Sequence, residues 1–332
     1  MIDLHVHLDG SLTPEDVLLL ATESAVTLPT MDLEQLRNLL TVEEDCKSLS
    51  EYLERFDLPL LVLQTAAAVE KSVCLMLKRL HSQGLIYAEV RFAPQLHRAN
   101  GLSQEEVVTA AVKGLNQAVE ETGMPAQLIL CCMRTPGSQD VNRETVEVAK
   151  KFLGKGVCAV DLAGDEAGNP TRNYQELFGY AHELGVPVIL HAGESAGSFS
   201  VSDALDMGAL RIGHGTLAAE SEEVMARLKA GSIPLEVCYT SNLQTKAAKT
   251  LPCHPVRLFF DRGLAVTIHT DNMSVSDTVL KREYRRLMAE FGFTLGEMKQ
   301  IALNAVKASF TDEDMKKTLA EKIERNFQSW LE

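Results

Sequence analysis

Short apolar runs alternate with longer amphipathic stretches along the whole chain of 332 residues. The runs are rich in Val, Ile, Leu and Ala and nearly continuous, as in parallel strands that are buried on both faces. The stretches between them repeat apolar residues at helical spacing. Eight strands are predicted, near residues 2–7, 85–93, 126–133, 157–163, 186–192, 210–214, 233–238 and 264–270.

Capping residues indicate where several of the intervening helices begin. Ser103 and Glu106 predict a capping box ahead of an apolar series that ends at Gly123. Two more helices are predicted to begin at Thr13 and Thr294. Strands and helices therefore alternate from one end of the chain to the other.

Eight βα units predict an α/β fold, a TIM (β/α)8 barrel. An open doubly wound sheet is the alternative, but no GxGxxG sequence follows the first strand. The helical segment of about 13–80 is too long for one crossover. We expect it to be a helical insertion after strand 1 that covers the barrel mouth as a lid. No shift in composition divides the chain, which predicts a single domain over 1–332.

Acidic residues outnumber basic ones by 46 to 32, which gives a net charge of −14. This charge disfavours nucleic acid and anionic membranes as partners and favours a neutral or cationic small molecule. The chain has no apolar run of about 18 residues and no secretory signal at its N-terminus. Its seven scattered cysteines suit reduced thiols. We therefore expect a cytoplasmic protein; no pattern indicates its oligomeric state.

Four polar residues at strand ends predict a metal site. His5 and His7 lie two apart on one strand and so share a face, although an isolated HxH pair is as often structural. His191 ends the fifth strand and Asp271 follows the eighth, and the C-terminal strand ends of a barrel meet at one face. Three imidazoles and a carboxylate suit one Zn2+ per chain.

Two further groups complete a hydrolytic set. Glu194 follows His191 by three residues, where a carboxyl group could transfer a proton; its alternative role is to stabilise a helix N-terminus. His214 ends the sixth strand between Gly213 and Gly215, and its alternative is a turn histidine. A zinc site, an acid and an imidazole together favour hydrolysis.

Seven motifs in order from position 5 to 272 resemble the adenosine deaminase family: HVHLDGS, CCMR, VDLAGDE, HAGE, RIGHG, TSNLQT and HTDN. The C-terminal NAVKASF is similar as well. The resemblance implies a TIM barrel with one zinc ion. It also implies hydrolysis of adenosine and 2′-deoxyadenosine at the 6-amino group, which yields the inosine products and ammonia.

The resemblance also implies roles for individual residues. The implied zinc ligands are His5, His7, His191 and Asp271. Glu194 is expected to protonate purine N1, and His214 to orient the attacking hydroxide with help from Asp271. The Gly164 N–H is expected to meet purine N3, and Asp9 to lie near the ribose. The expected substrate contacts are His7, Asp9, Gly164 and Asn272, with Tyr52, Leu53 and Phe56 as an apolar cover over the purine and Met133 facing the same pocket. Core packing is the alternative for the last four, and the two roles are compatible.

Position 272 departs from the commonest pattern of the family, which has a second Asp there. Purine N7 can only accept a hydrogen bond, and an amide donates at every pH, whereas a carboxyl group must first hold a proton. Asn272 is therefore expected to keep the contact with N7. Any role in sharing a proton is in doubt at this position.

Other functions remain open on the sequence alone. Related deaminases act on adenine, N6-modified adenine nucleotides or 6-amino-deoxyfutalosine. A nucleotide would need cations, and Arg91, Arg134 and Arg211 lie within strand motifs that adenosine enzymes share, so we expect no phosphate clamp. An inactive binding paralogue should lack a ligand or the acid, but every such position is filled.

Two more histidines are expected to be structural. His269 shares a strand face with Asp271, but the family motif usually has Asn there, which favours packing or support over metal ligation. His254 is expected to be structural as well.

Overall fold

The computed structural model describes residues 1–43, 46–248 and 253–332. All eight predicted strands are present among them. The strands are β1 Ile2–His7, β2 Tyr87–Phe92, β3 Ala126–Met133, β4 Val157–Ala163, β5 Ile189–Ala192, β6 Arg211–His214, β7 Leu235–Val237 and β8 Val266–Ile268. The second four are shorter than predicted, and β5 begins only after Pro187, which has no N–H to donate.

Fifteen α-helices lie among the described residues. They are α1 Pro14–Glu23, α2 Leu33–Leu40, α3 Leu49–Leu53, α4 Asp57–Val62, α5 Ala66–Ser82, α6 Gln104–Thr122, α7 Gln139–Phe152, α8 Gln175–Glu183, α9 Ser198–Asp206, α10 Glu222–Gly231, α11 Tyr239–Gln244, α12 Val256–Asp261, α13 Leu280–Phe291, α14 Leu295–Ala308 and α15 Glu313–Leu331. The predicted helix starts are confirmed, since Thr13, Ser103 and Thr294 each cap a helix within a capping box. Gly123 ends α6 in the left-handed conformation.

All strand pairs are parallel, in two sheets of order β1-β2-β3-β4 and β5-β6-β7-β8. Bridges Val160–Val188 and Val6–Asp271 join the sheets at both edges. At the second seam, Asp271 N donates to His5 O over 2.8 Å and His7 N donates to Asp271 O over 2.7 Å. The eight strands thus form the predicted TIM barrel, and its closure brings Asp271 beside β1.

The strands are less uniformly apolar than predicted. In β2, Ala88, Val90 and Phe92 belong to the main apolar core, whereas Glu89 and Arg91 between them are buried among charged groups. Successive side chains of a strand point to opposite faces. Apolar side chains therefore face the surrounding helices, and charged side chains face the barrel interior.

The helical segment after β1 has two parts. Helices α1, α2 and α4 share a second apolar cluster, which Ala68 near the start of α5 also joins. Helix α5 instead places Val69, Val73, Met76, Leu77 and Leu80 in the main core and packs along α6. This helix is thus the crossover between β1 and β2. The part that lies apart from the barrel core is residues 14–62, which is shorter than the expected 13–80.

No single helix of the described residues has the length and apolar composition to cross a bilayer. Only two successive helical segments taken together, Leu49–Val62 and Ala66–Ser82, meet that criterion. A bend of 120° separates them.

Candidate metal centre and active site

The four predicted metal ligands converge at the C-terminal face of the barrel. Ligand atoms of His5, His7, His191 and Asp271 all lie within 4.8 Å of one another. The Nε2 atoms of His7 and His191 are 3.3 Å apart. Asp271 Oδ1 lies 3.4 Å from Nε2 of both His5 and His7.

Carboxylates behind two of these imidazoles leave the Nε2 atoms available to an ion. His5 Nδ1 lies 2.8 Å from Glu236 Oε2, and His191 Nδ1 lies 2.9 Å from Asp161 Oδ2. A proton on Nδ1 makes Nε2 the free donor atom, which is the usual arrangement behind metal-binding histidines. His5 Nε2 is buried without a hydrogen-bond partner. These residues fit a divalent metal.

The carboxylates behind the imidazoles belong to a buried ion-pair network. Arg91 contacts Asp161 and Glu236, each over 2.8 Å. Arg211 contacts Glu236 over 2.6 Å and Glu89 over 2.7 Å. Burial by itself would raise the pKa of Asp161, but the charges of His191 and Arg91 outweigh it and hold that pKa below its ordinary value. Both arginines therefore form ion pairs with buried acids inside the barrel. This agrees with the expectation that they do not bind a substrate phosphate.

Glu194 and His214 form a buried pair beside the ligands, with 3.6 Å between Glu194 Oε2 and His214 Nε2. Burial, and the negative charge of Asp271, raise the pKa of Glu194 well above its ordinary value. Burial lowers the pKa of His214 well below its ordinary value. The site therefore favours the protonated form of the Glu194 carboxyl group and the neutral form of the His214 imidazole.

Asn242 determines which ring nitrogen of His214 carries the proton. Thr216 Oγ1 donates to Asn242 Oδ1 over 3.0 Å, so the amide nitrogen is left to donate to His214 Nδ1 over 2.9 Å. The proton of the neutral ring then lies on Nε2, which faces Glu194. Asn242 belongs to the TSNLQT motif, which carried the family resemblance without an assigned role.

Backbone strain is concentrated at two of these positions. His214 and Asp271 have φ angles of 60° and 62°, in the left-handed region that non-glycine residues rarely adopt. Ser241 Oγ donates to Asp271 Oδ2 over 2.6 Å, and the β8–β1 seam holds the Asp271 backbone. Such strain persists where the surrounding structure enforces it, typically at functional sites.

All eight expected substrate contacts line one cavity, together with Glu194, His214 and Asp271. Its cover comes from α3, α4 and the turn between them, through Leu49, Tyr52, Leu53, Phe56 and Leu60. Tyr52 also has a polar function, because its hydroxyl lies 2.7 Å from Ser276 Oγ and so ties α3 to the loop after β8.

Three residues of the cavity have a backbone conformation, a pKa or a close contact that bears on their expected roles. Gly164 has φ +102°, and a Cβ there would lie 3.3 Å from Met133 Cε. Burial raises the pKa of Asp9 to about 6. Asn272 Oδ1 is buried without a partner, and a Cβ on Gly10 would lie only 1.8 Å from it. Gly10 in the HLDGS sequence is therefore required for the placement of Asn272, a requirement that the motif alone did not reveal.

His269 and His254 make contacts that suit the structural roles expected of them. His269 Nδ1 lies 3.1 Å from Asp3 Oδ1, and its Nε2 lies 2.9 Å from Thr267 Oγ1. His254 Nε2 lies 3.2 Å from Asn242 Oδ1. Both rings use their nitrogens in these bonds, away from the four converging ligand atoms.

Comparison with known proteins agrees with this geometry. The family model described as Adenosine deaminase matches residues 1–326. A curated relative named Adenosine deaminase, from Haemophilus ducreyi, is 46% identical over 331 residues, covering 98% of this chain and 96% of the relative. Another of that name, from Enterococcus faecalis, is 39% identical over 326 residues, covering 98% and 96%.

A solved structure extends the comparison to the fold. The crystal structure of adenine deaminase from Arthrobacter aurescens is similar with a TM-score of 0.89 and 28% sequence identity, covering 98% of both chains. The curated relatives match nearly the whole chain, and the family model spans every site residue described above. The chain therefore belongs to the adenosine deaminase family.

Proposed function

We propose that this protein is a zinc-dependent enzyme that hydrolyses adenosine and 2′-deoxyadenosine to inosine, or 2′-deoxyinosine, and ammonia. The observation that carries the proposal is the convergence of four ligand side chains beside a buried acid and a neutral imidazole in one cavity. The activity named for the curated relatives supports the choice of substrate.

The metal ligands would be His5, His7, His191 and Asp271. Three imidazole nitrogens and one carboxylate oxygen form a donor set that Zn2+ accepts readily. A zinc ion bound there would act as a Lewis acid, which lowers the pKa of water from 15.7 to about 7. Glu236 and Asp161 would keep His5 and His191 in the required tautomer.

Glu194 would supply the proton. Its protonated carboxyl group can donate to N1 of the purine, which withdraws electrons from C6 and prepares that carbon for attack by hydroxide. The Nε2–H of His214 can orient the hydroxide as a hydrogen-bond donor, and Asp271 can accept from it. As the C6–N bond breaks, the amino group takes up the proton of the new C6 hydroxyl and leaves as ammonia, which leaves the 6-oxo product with a proton on N1. The proton that water loses on forming hydroxide restores the acid form of Glu194.

The charge of the cavity favours an uncharged nucleoside. Its described lining contains four acids, Asp9, Asp57, Glu194 and Asp271, and neither Arg nor Lys. A nucleotide phosphate would find no Arg or Lys side chain in this described lining to bind it. Asp9 is suited to accept hydrogen bonds from ribose hydroxyls, and Asn272 to donate to purine N7.

Free adenine is the second candidate substrate, because a solved structure at 28% identity is an adenine deaminase. The discriminating experiment follows the ultraviolet change on deamination and compares kcat/KM for adenosine, 2′-deoxyadenosine, adenine and adenosine monophosphate. We expect the two nucleosides to have the highest values, and a chelator to abolish activity until zinc is restored. A preference for adenine, or full activity in zinc-free protein, would refute the proposal.

We further propose that residues 1–332 act as one domain in the cytoplasm, with residues 14–62 as a lid. One apolar core runs through the barrel and its surrounding helices, which supports a single domain. Six buried, unpaired cysteines suit a reducing compartment: Cys46, Cys74, Cys131, Cys132, Cys158 and Cys238. Localisation of a tagged chain, and limited proteolysis with and without a substrate analogue, test these points.

A further inference from the structure

Glu166 lies in the loop after β4 and is 1% exposed. Its Oε1 accepts from Gly193 N over 2.6 Å and from Ser200 Oγ. Its Oε2 accepts from three further backbone N–H groups of the loop 193–196, over 2.6 to 3.1 Å. One buried carboxylate thus satisfies four consecutive backbone donors, an arrangement typical of a bound anion.

The loop held in this way is the one that carries Glu194. Gly193 has φ +69°, which turns its N–H toward the same point as the N–H groups that follow. A Cβ at this position would also lie 2.6 Å from Val201 Cγ2. The conformation of the loop therefore depends on a glycine and on the internal carboxylate, since Glu166, Gly193 and Glu194 are buried and a buried N–H group needs a partner within the protein.

A second set of bonds joins this anchor to the metal ligands. Ser200 Oγ lies 2.6 Å from Thr171 Oγ1, which accepts from Arg134 over 3.0 Å. Arg134 also donates to His191 O over 2.6 Å. The same group of side chains thus holds both ends of the segment from His191 to Ala196.

We propose that Glu166 is a positioning residue, which holds the loop 193–196 so that the Glu194 carboxyl group faces His214 and the substrate. This inference rests on the proposed function of Glu194 as the proton donor. Glu166 does not line the cavity, so it is not expected to touch the substrate itself.

The negative charge of Glu166 has a second effect, on the pKa of Glu194, which can be measured separately from the position of the loop. The groups that face Glu194 are His214, Asp271, Glu166 and Arg134. Burial is the main cause of the raised pKa of Glu194, and the negative charges of Asp271 and Glu166 add to it; a hydrogen bond with Thr245 and the charge of Arg134 oppose it. Removing the charge of Glu166 should lower that pKa. Glu194 would then lose its proton at a lower pH, and the alkaline limb of the activity profile would move to lower pH.

The test is Glu166→Gln, which keeps the shape but leaves one acceptor oxygen for five donors. We expect kcat for adenosine to fall about 10- to 100-fold, with KM changed less than about threefold, because the acid is displaced while the purine contacts remain. The alkaline limb should move to lower pH at unchanged zinc content. Backbone amides 193–196 should exchange hydrogen at least about tenfold faster.

Two variants separate positioning from general stability. Glu166→Asp keeps the charge, so the alkaline limb should stay in place while kcat falls less than in Glu166→Gln. Glu283 is also buried and accepts from Thr240 N, Thr240 Oγ1 and Thr278 Oγ1. Glu283→Gln should lower Tm without moving the alkaline limb or exposing amides 193–196.

A Glu166→Gln protein with lower Tm but unchanged kcat and pH profile would overturn the proposal. If that protein does not fold, Ser200→Ala decides, since it removes one donor and keeps the carboxylate. A kcat several times lower at full zinc content supports the proposal, and an unchanged kcat refutes it. An unmodified protein that fails to deaminate adenosine would instead refute the proposed function, whereas the exchange measurement would still test the anchor.

Discussion

The floor of the cavity, which is the buried ion-pair network behind the metal ligands, and its cover are built in opposite ways. In the floor, fully buried side chains form ion pairs, as Arg91 does with Asp161 and Glu236. Above them, the cover consists of partly exposed apolar side chains such as Leu53 and Phe56. Few described polar bonds tie the cover to the loop after β8, among them the Tyr52 hydroxyl contact with Ser276.

This difference assigns separate tasks to the two regions. Buried charges and strained backbone hold the reacting groups in one geometry, which is what acid catalysis and metal binding require. Apolar contacts without directional bonds let the cover bind a purine face and still move to admit it. Changes to the floor should therefore affect metal content and kcat, and changes to the cover should affect KM.

The largest effect is expected from His5→Ala, because one of four ligands is lost. The protein should retain little zinc, and kcat/KM should fall by more than about 1,000-fold. Zinc analysis and the ultraviolet assay measure both. His81→Ala, at an exposed histidine of α5, is the control and should match the unmodified protein. Full activity in His5→Ala would remove the metal assignment.

A smaller loss is expected from Asp161→Asn, which replaces the acceptor behind His191. Zinc affinity should fall about 10- to 100-fold, as for other groups that support metal-binding histidines. Competition with a chelator of known affinity measures the change. Asp165→Asn, at an exposed carboxyl in the same motif, is the matched control. Equal zinc affinity in the two variants would mean that the acid behind His191 does not contribute to zinc binding.

Asn272→Ala tests the polar edge of the cavity. Loss of a buried hydrogen bond to purine N7 should lower kcat/KM for adenosine by about 10-fold. Asn272→Asp is a more specific test, because a carboxyl group donates a hydrogen bond only while it is protonated. The kcat/KM of this variant should therefore fall further below that of the unmodified protein as the pH rises. Unchanged kinetics in Asn272→Ala would contradict the contact.

The smallest effect is expected from Phe56→Ala in the cover. KM for adenosine should rise about threefold to tenfold while kcat changes less than about twofold, because apolar contact with the purine is reduced. Leu61→Ala removes an apolar side chain of α4 that is 47% exposed and outside the cavity lining, and should leave KM unchanged. A fall in kcat for Phe56→Ala without a change in KM would contradict the division of tasks.

Much of the fold was predictable because its signals are local. Apolar runs marked all eight strands, and the Ser103 capping box marked the start of α6. The extent of the insertion was not predictable, because α5 is a helix whether it belongs to the insertion or connects β1 to β2. Only its packing on α6 assigns it to the barrel. Charged residues within apolar strands were visible, but their partners were not.

The sequence by itself determined the strand and helix order, and it identified the polar residues at strand ends. These features depend on neighbours along the chain or on the common direction of parallel strands. The tertiary structure alone decided that Glu236 supports His5, that Asn242 orients His214 and that Glu166 holds the loop of Glu194. These contacts join residues 231, 28 and 28 positions apart. The first depends on closure of the barrel, and the other two depend on the packing of loops that follow neighbouring strands.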